Sequence, residues 1–269
     1  METPDALGII AGSGAYPLLV ARSARESGVK KIAAAAFTSE TDPKLAAEVD
    51  EIEWMRVGQL ARLLSFFRSA ELRHGIMAGQ IAPKNLFDLR PDWKALLLLA
   101  RLKRRNADTI FGAIADELGH SGVELLPATT FLDEFVAHAG LIAGPELTRR
   151  QESDVSFGFE IAKEMSRLDI GQTVVVSNGT VLAVEAFEGT NEAIKRGGAL
   201  ARKDAVVVKV AKANPDMRFD VPVIGIETIG AAVDSGVRVI AVEAGRTLLL
   251  ERDQIAAAAN RAGICIIGC

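Results

Sequence analysis

The stretch Lys209-Val210-Ala211-Lys212-Ala213-Asn214-Pro215-Asp216-Met217-Arg218-Phe219-Asp220-Val221-Pro222 sets Lys209, Lys212 and Arg218 among Asp216 and Asp220, directly after an apolar run. Cations beside carboxylates are what a pyrophosphate with a bound metal requires, since the cations offset phosphate charge and the carboxylates hold the ion. The same composition also describes an ordinary charged surface loop.

A second acidic cluster, Val184-Glu185-Ala186-Phe187-Glu188-Gly189-Thr190-Asn191-Glu192, ends an apolar strand and leads through Gly189 to Thr190, a potential helix N-cap. Read chemically, Glu185 and Glu188 hold Mg²⁺ through oxygen while the N–H groups at Gly189 and Thr190 receive phosphate oxygens. Read structurally, the acids only stabilise the first turn of a helix.

In Leu7-Gly8-Ile9-Ile10-Ala11-Gly12-Ser13-Gly14 a strand runs into a glycine turn before a helix, so Gly12, Ser13 and Gly14 are expected to contact an anion through their backbone N–H groups. The third glycine of a dinucleotide fingerprint is replaced by Pro17, and the acids after the next strand, Glu40 and Asp42, lie too far along the chain. Nicotinamide binding is therefore disfavoured; a phosphate, a nucleotide or a plain tight turn remains.

Several chemistries are excluded by what is missing. The three histidines, His74, His120 and His138, stand in no zincin or metallophosphoesterase pattern, and there is neither a Gly-x-Ser-x-Gly elbow nor a Walker A loop. An oxygen-only site suits Mg²⁺ or Mn²⁺. The two cysteines, Cys265 and Cys269, close an apolar run and read as small hydrophobes of a last strand. A net charge of −4, from 31 basic and 35 acidic residues, offers no general attraction for nucleic acid.

Elements must hold these residues in place. In the first half, Leu7 to Ala11, Lys31 to Ala36, Ile52 to Met55, Gly75 to Ala78 and Val123 to Leu125 read as strands separated by helix-period stretches, the pattern of a parallel sheet with crossover helices. In the second, Phe157, Ile161, Met165 and Leu168 share one face of a helix that Ser153 or Asp154 would cap. Asn178-Gly179 marks a tight hairpin between Thr173 to Ser177 and Thr180 to Ala186. Further strands are expected at Ala205 to Val210, Val237 to Val242 and Ile264 to Ile267, with helices near Asn191 to Arg202, Glu227 to Ser235 and Asp253 to Ala262. The expected organisation is a two-domain α/β protein: a Rossmann-like N-terminal domain over 1–138, a linker over 139–152, and a C-terminal mixed α/β domain over 153–269. The leucine-rich stretch Lys94 to Arg105 ends in a basic cluster; it reads either as a core helix or as a cover for acyl chains touching an anionic membrane. No apolar run is long enough to span a bilayer, so a cytoplasmic protein is expected, with peripheral contact at the inner membrane and homodimerisation by base rate.

Leu7 to Gly12, Asp169-Ile170-Gly171-Gln172, Leu182 to Ala186, Glu188-Gly189-Thr190, Arg218 to Pro222 and Glu243-Ala244-Gly245 together resemble the UDP-2,3-diacylglucosamine pyrophosphatases that lack a metallophosphoesterase fold. The resemblance implies hydrolysis of UDP-2,3-diacylglucosamine to UMP and 2,3-diacylglucosamine 1-phosphate, in lipid A assembly of Gram-negative bacteria, with Mg²⁺ or Mn²⁺ and attack of water on the sugar-side phosphorus. It also implies that Asp220, two positions before Pro222, is the essential aspartate, as metal ligand or base; from the residues themselves, Arg218 is expected to act beside it and Glu185 or Glu188 to help hold the metal. Lys209 and Lys212 join Arg218 in offsetting charge on the substrate. Asn191 stands where the family usually has aspartate, which removes one negative charge. The rival readings are a non-catalytic nucleotide-sugar or lipid-binding module and a dehydrogenase-like enzyme, the latter opposed by Pro17.

Overall fold

A computed structural model describes residues 3–81, 91–104, 106–201 and 203–269. Arg105, at the end of the leucine-rich stretch, and Arg202, at the end of an expected helix, lie outside them. The chain divides into two compact units, residues 1–133 with 216–220, and residues 134–215 with 221–269.

In the first unit the order is β1 (Ala6–Ala11), α1 (Tyr16–Glu26), β2 (Lys31–Phe37), a 3-10 turn (Pro43–Ala47), β3 (Glu51–Met55), α2 (Leu60–Ser69), β4 (His74–Ala78), α3 (Trp93–Arg101), α4 (Ala107–His120) and β5 (Glu124–Leu125). The strands lie in the order β3-β2-β1-β4-β5, every pair parallel. Burial on both faces explains why β1 and β2 are apolar without alternation: Leu7, Ile9, Ile32 and Ala33 to Ala36 are fully buried. Gly8 is a packing requirement, since a Cβ there would lie 2.4 Å from the ring of Phe67. The order reverses between β1 and β4, and the loops after these two strands flank the crevice where open α/β sheets bind ligands.

The second unit runs β6 (Gly140–Ala143), α5 (Arg149–Arg167), β7 (Thr173–Ser177), β8 (Thr180–Val184), α6 (Thr190–Ala201), β9 (Ala205–Lys209), β10 (Val223–Ile224), α7 (Ile226–Asp234), β11 (Val237–Val242), β12 (Leu248–Leu249), α8 (Arg252–Ala262) and β13 (Cys265–Gly268). Its six-stranded sheet has the order β6-β13-β11-β9-β7-β8; β9, β11 and β13 are parallel, and β6, β7 and β8 run against their neighbours. The two-residue period of the strands sorts the core. Val175, Val207 and Ile240 face Ile194, Ile229 and Ile255 of α6, α7 and α8, while Val174, Val176, Val206 and Val208 pack with Val155, Ala162 and Met165 of α5.

Two local expectations change. The stretch 139–152 is not a bare linker: β6 pairs antiparallel with β13, and α5 begins at Arg149. Thr148, not Ser153 or Asp154, caps α5, in a reciprocal capping box with Gln151. Asp154 is instead buried inside the helix, where its carboxylate accepts the N–H groups of Asn178 at 2.9 Å and Gly179 at 2.7 Å and so ties down the hairpin turn.

Candidate functional site

At the carboxyl end of the first sheet, the loops after β1 and β4 are fastened backbone to backbone. Gly12 N–H donates to Ala78 O at 2.8 Å, Ser13 N–H to Gln80 O at 2.7 Å, and the Ser13 hydroxyl to the same Gln80 O at 2.9 Å. Any side chain would part them: a Cβ on Gly12 would sit 2.5 Å from Gln80 O, and one on Gly79 2.5 Å from Ser13 O. This corrects the expectation that Gly12 and Ser13 offer their N–H groups to an anion, because both already donate within the protein. Gly14, at φ +84°, turns the chain into α1, whose first turn has no side-chain cap.

Beside this turn lies an apolar cavity of about 860 Å³, counting its open mouth, lined by Ile10, Phe37, Leu63, Met77, Leu98 and Phe111 among others. So few polar groups suit hydrocarbon and not phosphate. The segment 216–220 belongs to the same unit and packs near the cavity wall, with the Phe219 ring 5.9 Å from that of Phe111 and Ala128 N–H donating to Met217 O at 2.7 Å. Within it Asp216 takes the Arg218 guanidinium in a two-pronged pair, at 2.9 Å from Nε and 2.7 Å from the terminal nitrogen. That hydrogen bond holds the Asp216 carboxyl below the usual range and raises Arg218. Asp116 lies 3.9 Å from Arg218 on its other side. Asp220 closes the turn through its N–H to Asp216 O at 2.8 Å and is half-buried.

The carboxyl end of the second sheet is polar. Lys209, the last residue of central strand β9, is buried to 7% exposure, and its ammonium donates to the Thr190 hydroxyl at 2.6 Å. Thr190 in turn donates to Glu185 at 2.8 Å, and Thr173 Oγ1 lies 3.5 Å away. Burial pushes the Lys209 ammonium below its ordinary pKa, with the charge of Glu185 acting in the opposite sense. Thr190, expected to cap α6, is instead the first residue inside it, and its hydroxyl belongs to this chain of contacts.

Glu185, Thr190 and Lys209 are thus brought together within the second unit, whereas other expected residues have separate partners. Glu188 is held by Arg196 at 2.5 Å; its own backbone N–H and that guanidinium keep its carboxyl below the usual range. Lys212 pairs with Asp169 at 3.3 Å, and Gly189 supplies the positive φ of +86° that turns the chain into α6. Glu243, quoted above only as part of a motif, anchors the loop that leaves β9. It accepts Lys163 at 2.5 Å and Ala211 N–H at 2.8 Å, while its own N–H donates to Lys209 O. Thr173, Lys163 and this role of Glu243 are missed by sequence reasoning because each partner is distant along the chain.

Among the described residues no three His, Cys, Asp or Glu side chains converge to hold a metal. Glu188 pairs with Arg196, and Glu185 accepts both Thr190 and, at 3.4 Å, Gln172 N–H. A single carboxylate completed by substrate phosphates is a common way to bind Mg²⁺.

Two domain models and a curated relative point to one family. The LpxI N-terminal domain model matches residues 6–135 and the LpxI C-terminal domain model residues 138–267. A curated relative, the UDP-2,3-diacylglucosamine pyrophosphatase LpxI of Caulobacter vibrioides, is 30% identical over 277 residues, covering 97% of this chain and 96% of that protein. Among solved structures, the biotin carboxylase domain of Hydrogenobacter thermophilus 2-oxoglutarate carboxylase is similar over 88% of this chain and 43% of that one, at 10% identity and a TM-score of 0.31. The biotin carboxylase subunit of pyruvate carboxylase matches at 12% identity and a TM-score of 0.28, over 68% and 38%. This chain spans less than half of either, and similarity at that level bears on neither fold nor chemistry. Two domain models in consecutive order and a relative matched over nearly its whole length make this chain a member of the LpxI family.

Proposed function

We propose that this protein hydrolyses the pyrophosphate of UDP-2,3-diacylglucosamine to UMP and 2,3-diacylglucosamine 1-phosphate, a step of lipid A assembly. The observation that carries the reading is one unit holding both an apolar cavity and, packed near its wall, the polar turn that ends in Asp220. A substrate with acyl chains and a pyrophosphate needs both. The cavity takes hydrocarbon, each buried methylene contributing about 0.8 kcal/mol. Asp220 directs the attacking water or holds the metal, and the Asp216–Arg218 pair keeps the turn in shape. A divalent ion, Mg²⁺ or Mn²⁺, belongs to this reading with Asp220 as its protein ligand; when bound it neutralises charge on the phosphate oxygens.

A non-catalytic lipid-binding module would need the cavity but not the Asp216–Arg218–Asp220 turn. Incubation of the purified protein with substrate and Mg²⁺ should release UMP, stop in EDTA and resume with Mg²⁺ or Mn²⁺. Asp220→Ala should lose about 100-fold or more in turnover while still retaining substrate. Near wild-type turnover in that variant would remove Asp220 from the chemistry, and no UMP from the wild type would leave the binding module as the better reading.

A further inference from the structure

Helix α3 carries two apolar faces. Ala95 and Leu98 are buried and, with Leu99, line the cavity. On the outer side Trp93, Leu96 and Leu97, spaced three and four apart, are 62%, 55% and 51% exposed. The other large exposed hydrophobics, such as Leu141, Leu168, Phe187 and Val233, are spread over separate elements. Monomeric soluble proteins seldom leave a contiguous apolar patch uncovered without a use for it.

The charges carried by the helix and its end are of one sign. Lys94 stands over the Trp93 ring at 5.7 Å, and Arg101, Lys103 and Arg104 are exposed at and just past the end of the helix. No acidic residue occurs from Trp93 to Arg104. Asp92, just before them, is committed to the N-cap, accepting Ala95 N–H at 2.9 Å and Ala61 N–H at 2.7 Å.

We infer that the outer face of α3 is a docking surface for an anionic lipid bilayer, with Trp93, Leu96 and Leu97 seated among the headgroups and the flanking cations on lipid phosphates. An apolar face edged by Lys and Arg is the pattern of a helix lying in a membrane interface, its cations drawn to anionic headgroups. A second copy of the chain is a poorer occupant, because a two-fold contact would set these cations against their own equivalents. Resting on the function proposed above, the consequence is that a single helix has one face toward the bilayer and the other on the cavity that takes the acyl chains.

The test uses the full chain with vesicles of phosphatidylcholine alone or mixed with phosphatidylglycerol. Binding should be weak to the first, clear to the second, and reduced by salt. In a Trp54→Phe background, the emission of the remaining tryptophan should shift to the blue on mixed vesicles. Combined Trp93→Ser, Leu96→Ser and Leu97→Ser should weaken vesicle binding about tenfold or more, with the thermal midpoint retained. Hydrolysis of substrate dispersed in detergent should stay unchanged and hydrolysis from vesicles should fall. Equal vesicle binding by variant and wild type would overturn the inference, as would a concentration-dependent dimer that the triple substitution abolishes. Vesicle binding by a wild type that releases no UMP would sustain the docking surface and count against the proposed reaction alone.

Discussion

The carboxyl ends of the two sheets answer the same topological rule with opposite chemistry. In the first, β1 and β4 run out into Gly12 and Gly79, backbone lies on backbone, and the adjoining space is apolar. In the second, β9 ends in buried Lys209, β11 is followed by Glu243 and β8 by Glu185, and each charge meets a partner. Parallel strands decide where a ligand can sit; the residue at the end of each strand decides what kind. Glycine lets a neighbouring loop close in and leaves room for hydrocarbon, whereas lysine carries a charge into a place from which water is excluded.

If that contrast is right, damage at the two ends should look different. The largest effect is expected for Lys209→Met: a loss of about 100-fold or more in kcat/KM, without loss of stability, because an ammonium that is costly to bury has been removed. The pH dependence has a definite sign. Burial lowers the native pKa of Lys209, so the unfolded chain binds the extra proton between that lowered value and the ordinary lysine value of about 10.4. Wild-type stability should therefore gain a rising component with pH across that window, and Lys209→Met should lack it. Melting curves at several alkaline pH values, read beside kinetics, decide this; intact kinetics with lowered stability would make Lys209 a structural residue.

Gly12→Val should fail in the other way. Its Cβ would press on backbone atoms of Gly79 and Gln80, which can yield only by parting the two loops, at a cost of about 1–3 kcal/mol. An unchanged thermal midpoint would mean that the loops do not meet as described. The smallest effect belongs to Glu243→Gln, which removes a partly exposed ion pair with Lys163 but keeps an acceptor near Ala211. About 1 kcal/mol of stability should be lost, with faster hydrogen exchange at the Ala211 amide. No change in that exchange would remove the anchoring role given to Glu243.

Much of this contrast is legible before folding. Fully buried strands announce themselves as apolar runs, and Asn178-Gly179 marks its hairpin because both residues take positive φ, 52° and 68°. The edge strand β6 escapes notice because Gly140-Leu141-Ile142-Ala143 is too short for its period to show and is defined by pairing with β13. The start of α5 is misplaced because Thr148 and Gln151 read as loop polarity until their reciprocal hydrogen bonds are seen. At the site, residue types betray Lys209 and Glu185, but not that Thr190 joins them, nor that Glu188 is spent on Arg196. Pairings across distant stretches of chain leave no local trace.

Residues 216–220 count with the first unit although the chain on either side of them belongs to the second. Between the two family domain models, at 135 and 138, the gene can be divided in sequence but not in substance, for a fragment ending there lacks Phe219, Arg218 and Asp220. The halves of this protein are therefore not interchangeable cassettes. A recombinant that joined the first half of one such enzyme to the second half of a divergent one would inherit a foreign plug in its first unit, with another chain's residue facing Phe111 and another chain's turn presenting the aspartate. The two halves are bound to vary together as a single unit of inheritance.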